Sequence, residues 1–105
     1  MKVKYLNLSE QWKEEKRLLL PIISKTLDTG LFVGVQATEI VKFEKNICKI
    51  LGVKHTISVN SGTDALTLAL HSSGIKKGDE VITVSNSYLA TTGAIVHLGA
   101  KPIFV

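Results

Sequence analysis

Residues 57–66, Ile57-Ser58-Val59-Asn60-Ser61-Gly62-Thr63-Asp64-Ala65-Leu66, constrain the rest of this chain. A short β-branched run ends in small polar residues, and a helical pattern begins at once. That order describes a strand feeding the N-terminus of a helix across a tight glycine turn. The first turn of any helix leaves N–H groups without intrahelical acceptors, and the helix dipole adds partial positive charge there. Ser61 and Thr63 add hydroxyls, and Gly62 lets a ligand approach the backbone closely. The segment is therefore a candidate cradle for an anion, most naturally a phosphate. An ordinary capped helix, with Ser61 or Thr63 as N-cap, accounts for nearly every residue of it except the glycine.

Around this turn the chain reads in order as follows. Residues 1–8 alternate weakly, as an extended arm would. Ser9 is an N-cap candidate for a helix to about Asp28, with Trp12, Leu19, Ile23 and Leu27 at helical spacing. Pro21 falls inside that pattern and is expected to kink or split it. Gly30-Leu31-Phe32-Val33-Gly34 is a glycine-bracketed apolar loop that either presents Phe32 or staples two helices together. A second helix is expected from Ala37 to Leu51, with Ile40, Phe43, Ile47, Ile50 and Leu51 on one face.

From His55 onward the pattern becomes β-α-β-α-β. The expected strands are His55–Val59, Glu80–Val84 and Lys101–Val105, the last without a closing turn or polar tail. The expected helices run from about Thr63 to Ser73 and from Tyr88 to Leu98. Leu66, Leu68, Ala69 and Leu70 make the first of these apolar on most sides, which predicts burial. Lys76-Lys77-Gly78-Asp79 is a turn sequence. The continuous apolar strand Glu80–Val84 suits a parallel sheet covered on both faces. The fold class is α/β with a parallel sheet.

Length and composition close off several functions. At 105 residues the chain suits one domain and is too short for two. The formal net charge is +4, but the basic residues are scattered, which argues against nucleic-acid binding. No stretch approaches the roughly 18 apolar residues of a membrane span, and no signal peptide is visible. The single cysteine, Cys48, cannot form an internal disulfide, which fits a cytoplasmic location. His55, His71 and His97 have no partners at metal-ligand spacing, so no metal site is expected.

Two loops, Asn60–Thr63 and Ser85–Tyr88, each follow a strand and precede a helix. In α/β sheets that edge carries the ligand. One loop offers phosphate donors, and the other offers an aromatic ring that either stacks on a planar ligand or packs in the core. Neither a dinucleotide G-x-G-x-x-G nor a Walker-type G-x-x-x-x-G-K-[ST] is present. Ser61 is not in a G-x-S-x-G elbow.

Six segments then fall in a recognisable order: Gly30–Gly34, Phe43-Glu44, Val59–Leu66, Gly74-Ile75 with Gly78–Ile82, Ser87–Thr91, and Gly99-Ala100 with Pro102–Val105. Together they resemble the N-terminal part of the DegT/DnrJ/EryC1/StrS family, pyridoxal-phosphate-dependent aminotransferases of nucleotide-linked keto-sugars. The resemblance implies the first, incomplete part of a fold-type I large domain, three-layered α/β/α with a mostly parallel sheet. It implies that Gly62, Thr63 and Asp64 hold the phosphate of pyridoxal 5'-phosphate, through backbone N–H groups and the threonine hydroxyl. Tyr88 would stack on the pyridine ring, and Phe32 would lie in a loop near the active site of a homodimer. The family usually has proline where Val84 or Ser85 stands.

By the same resemblance the catalytic lysine lies downstream, and no residue here takes its place. The 105 residues alone are not expected to transaminate. They divide into an arm, helix and loop over 1–36 and the start of the cofactor-binding domain over 37–105. The resemblance also implies that later strands separate His55–Val59 from Glu80–Val84. The expected role is the cofactor-holding segment of an enzyme that uses a nucleotide-sugar and an amino-acid donor. A sugar dehydratase of the same family, and a non-catalytic α/β module binding a phosphorylated ligand or a partner protein, fit the same residues.

Overall fold

The structure, a computed structural model, describes residues 3–35 and 37–105. The chain forms two units, Met1–Ile57 and Ser58–Val105. The boundary expected between 36 and 37 falls at Gln36, outside the described residues.

The first unit is helical. Helix α1 spans Leu8–Thr29 and α2 spans Thr38–Leu51. Helix α1 begins one residue before the expected cap. Asn7 occupies the N-cap position, and the Ser9 hydroxyl donates to the Asn7 side-chain oxygen at 3.0 Å. Pro21 does not split the helix, which runs unbroken past it. A proline removes one i−4 bond, and the helix continues on both sides of that gap. The spaced apolar residues of α1, Trp12, Leu19, Ile23 and Leu27, are all at least 37% exposed.

Helix α2 lies close to its expected bounds. After it the chain folds back: the Val53 N–H donates to the Cys48 carbonyl at 3.1 Å, and the Thr56 hydroxyl donates to the Glu44 carbonyl at 2.8 Å. The same hydroxyl lies 3.5 Å from the Cys48 sulfur, so this half-buried thiol has a polar neighbour.

The second unit carries α3 (Gly62–Ser72), β1 (Glu80–Thr83), α4 (Leu89–His97) and β2 (Lys101–Phe104). Strands β1 and β2 pair in parallel, Glu80 opposite Lys101 and Thr83 opposite Phe104, with α4 as the crossover between them. The Lys101 ammonium meets the Glu80 carboxylate at 3.0 Å across this register, an exposed pair that marks alignment more than it adds stability. Helix α4 packs on both strands and against α3. Its Ala94 and Ile95, with Ala100 just beyond, are the buried side chains of this unit.

The turn before β1 forms as its residues predict. The Asp79 carboxylate accepts from the Lys76 N–H at 2.7 Å, and the Asp79 N–H donates to the Lys76 carbonyl at 3.1 Å. Hydrogen bonds from the Gly78 N–H to the Gly99 carbonyl, 2.9 Å, and from the Lys101 N–H to the Asp79 carbonyl, 2.8 Å, lock this turn to the end of α4.

Three expectations are corrected. Residues 55–59 are not part of the sheet, which among the described residues has two strands. A β-branched run sets extended backbone, but a strand exists only where a second one supplies the ladder. Helix α3 has no buried residue, and Leu66 and Leu68 are 39% and 50% exposed. Strand β1 is not covered on both faces, since Ile82 is 71% exposed.

Among the described residues many large apolar side chains are exposed in both units, Leu18 and Ile50 in the first and Leu89 and Ile82 in the second.

Gly99 tests the lock between turn and helix. Its φ is +73°, and a Cβ there would stand 3.0 Å from the Lys77 Cγ and 3.2 Å from its Cβ. Gly99→Ala is expected to destabilise the protein by about 1–2 kcal/mol from backbone strain alone, measured by denaturant unfolding. Gly93→Ala, in an open position of α4, is expected to be neutral or stabilising. Equal midpoints for the two variants would remove the lock from the cooperative unit.

Candidate functional site

The start of α3 is a reciprocal cap. Ser61 has extended backbone, its hydroxyl oxygen accepts from the Asp64 N–H at 3.1 Å, and its own proton goes to the Asp64 carboxylate at 2.8 Å. This is a variant of the capping box, with aspartate at the third helical position. The Ala65 N–H is also engaged, on the Ser61 carbonyl at 3.0 Å.

Both hydrogen-bonding parts of Asp64 are thus turned toward Ser61. Among the described residues, no hydrogen bond engages the N–H of Gly62, the N–H of Thr63 or the Thr63 hydroxyl. These three donors sit at the positive end of the helix dipole. The cap and the cradle of the sequence reading are therefore not rivals: Ser61 and Asp64 perform the first and leave the second open.

Gly62 is not required by the fold. It does not have positive φ, and no atom comes within 4 Å of where its Cβ would stand. Glycine costs a helix interior roughly 0.5–1 kcal/mol relative to alanine, and less at a first helical position such as this one. Nothing within the described chain offsets that cost.

The space beside Gly62 is an open cleft of about 510 Å³, lined by Gly62, Thr63, Ala65, Leu66, Tyr88, Ala90 and Thr91. It brings the N-terminus of α3 beside that of α4. Helix α3 packs against α4, and residues from both first turns line the cleft. Tyr88 is the N-cap residue of α4 and is 83% exposed, so among the described residues it is not packed into a core.

Of the expected site residues, Gly62, Thr63 and Tyr88 line one cleft, and Asp64 supports it through Ser61. Phe32 lies in the first unit, half-exposed between Gly30 and Gly34, both of positive φ. Sequence reasoning had not assigned Thr91 or Ala90 to the cleft, although both belong to the quoted segment Ser87–Thr91. Their signal was spacing: they follow an aromatic at a helix start, on the face turned to a neighbouring helix.

Among the described residues no group of His, Cys, Asp and Glu could hold a metal ion. His71 and His97 sit in the last turns of α3 and α4. No described helix is long and apolar enough to cross a membrane.

The profile of the DegT/DnrJ/EryC1/StrS aminotransferase family matches residues 14–105. The chain belongs to this family. A family profile over nearly the whole chain agrees with individual relatives. The pleiotropic regulatory protein of Geobacillus stearothermophilus is 35% identical over 105 residues, all of this chain and 28% of that protein. A dTDP-3-amino-3,4,6-trideoxy-alpha-D-glucose transaminase of Micromonospora megalomicea subsp. nigra is 36% identical over 95 residues, 90% of this chain and 25% of that one. The crystal structure of ntda from Bacillus subtilis with bound cofactor PMP superposes with a TM-score of 0.90 at 33% identity, covering 99% of this chain and 24% of that one. The α/β architecture is thus that of the DegT/DnrJ/EryC1/StrS aminotransferases. The chain spans about a quarter of the length of the curated relatives it matches.

The cap can be tested apart from any ligand. Ser61→Ala is expected to cost about 1 kcal/mol of unfolding free energy, and Ser61→Gly only a few tenths. An alanine variant as stable as wild type would show that Asp64 and Ser61 do not hold the first turn.

Proposed function

We propose that this chain is the N-terminal segment of a pyridoxal-phosphate-dependent aminotransferase acting on nucleotide-linked keto-sugars. In that reading it holds the cofactor, and the catalytic lysine comes from sequence beyond it. Gly62 and Thr63 receive the cofactor phosphate, Asp64 fixes the turn that presents them, and Tyr88 faces the pyridine ring. Phe32 belongs to a loop near the substrate of a homodimer whose substrates are a nucleotide-sugar and an amino-acid donor. Family membership supports the reading, as do relatives that include dTDP- and GDP-sugar enzymes by name.

The observation that carries the proposal is Gly62, a helix-weakening residue that the fold does not need, on the wall of the cleft. A missing side chain at a helix N-terminus makes sense where a phosphate must come against the backbone. The residues present fit such a group. Two N–H donors and one hydroxyl meet the phosphate end, and a cleft of about 510 Å³ with an aromatic wall suits a planar ring.

When bound, pyridoxal phosphate supplies the carbonyl and electron-accepting ring that transamination requires. This chain's residues supply position. The backbone donors and helix dipole neutralise part of the phosphate charge. The Thr63 hydroxyl adds a donor whose loss leaves the backbone ones intact. Leu66, Ala65 and Ala90 give the remaining wall an apolar surface.

The deciding experiment uses the complete protein. Gly62→Ala is expected to leave unfolding free energy unchanged or raised by up to about 1 kcal/mol, while lowering cofactor retention, read as pyridoxal absorbance after dialysis. Thr63→Val is expected to lower retention as well. Full retention in both variants would sink the cradle.

A further inference from the structure

Helix α4 begins without the cap its position calls for. Tyr88 occupies the N-cap with φ −66° and ψ 142°, and makes no side-chain cap hydrogen bond. Serine, threonine, aspartate or asparagine would ordinarily stand there. Instead the hydroxyls on either side of Tyr88 meet. Ser87 Oγ lies 3.0 Å from Thr91 Oγ1, bridging the residue before the cap to the third residue of the helix. Thr91 also donates its N–H to the Tyr88 carbonyl at 3.0 Å. Tyr88 is thus spanned twice by Thr91, once through backbone and once through Ser87.

We propose that the Ser87–Thr91 hydroxyl pair is a positioning device that holds Tyr88 at the cleft wall. This rests on the reading above, that Tyr88 stacks on the ring of bound pyridoxal phosphate. Fixing the backbone before and after an exposed aromatic removes freedom that would otherwise be lost on binding. Because Tyr88 is 83% exposed, little packing from the described residues does this for it. The cap position is taken by an aromatic, and the hydroxyls on either side of it bond each other instead of the helix backbone. Thr91 lines the cleft and Ser87 does not, so the pair acts from one residue beside the ligand and one behind it. Its exposed hydrogen bond adds little to the fold, so its effect falls on ligand geometry.

The test uses the complete, cofactor-loaded protein and the variants Ser87→Ala, Thr91→Val, their double, Thr91→Ser and Tyr88→Ala. Two readouts are the cofactor dissociation constant by equilibrium dialysis and the visible circular dichroism of the bound cofactor, which reports the asymmetry around its ring. Ser87→Ala and Thr91→Val are each expected to weaken binding roughly threefold to tenfold and to alter the dichroic band. The double variant is expected to be no worse than either single one, and Thr91→Ser to restore both readouts. In a Tyr88→Ala background, Thr91→Val is expected to add nothing.

If Tyr88→Ala changes both readouts and the two single variants change neither, the positioning role is wrong and the stacking reading stands. If Tyr88→Ala changes nothing, the stacking reading fails and the device with it. Weakening by Thr91→Val without any effect of Ser87→Ala would mean that Thr91 meets the ligand directly, which overturns the pair.

Discussion

The second unit depends on the seating of α4 across the parallel pair β1–β2. Ile95 is the largest fully buried side chain among the described residues, and Ala94 and Ala100 are its buried companions. Ala94 and Ile95 are on the helix and Ala100 lies just before β2, so the buried side chains sit where the helix meets the strands. From there the geometry follows. The crossover fixes where α4 starts, α3 packs against it, and the two helix N-termini share one cleft. The turn at Lys76–Asp79 is tied to Gly99 at the opposite end of the helix, so the element is held at both ends.

Much of this was readable from the residues because it is local. The turn chemistry of Gly78 and Asp79, the cap at Ser61, and the β-branched runs specify backbone within a few residues of themselves. The meeting of Gly62 with Tyr88 was readable at one remove, through the rule that α/β ligand loops gather at one sheet edge. What failed was every inference from apolarity to burial. Leu66, Leu68 and Ile82 have the composition of covered surfaces, but covering requires a partner, and composition does not say where the partner comes from. Residues 55–59 failed as a strand for the same reason. The Ser87–Thr91 bond was hidden differently: two hydroxyls four residues apart are common, and only the aromatic between them gives the spacing meaning.

The cap at α3 also revises how the motif is read. Its polar residues divide into a pair that satisfies the helix and a pair that does not. Ser61 and Asp64 bond each other, one carboxylate oxygen of Asp64 taking the Ser61 proton. Gly62 and Thr63 remain. A motif that looked like one continuous binding sequence is a scaffold of two residues supporting a surface of two.

The walls of the cleft contain no carboxylate, imidazole or ammonium: glycine, threonine, alanine, leucine and tyrosine make them up. Whatever is held there is held by dipoles, hydroxyls and a ring. Tyr88 is the one titratable side chain on these walls, so in the proposed reading holding draws on uncharged groups. A holder of that kind is indifferent to what is done to its ligand, and in that reading the same segment would serve enzymes whose substrates differ.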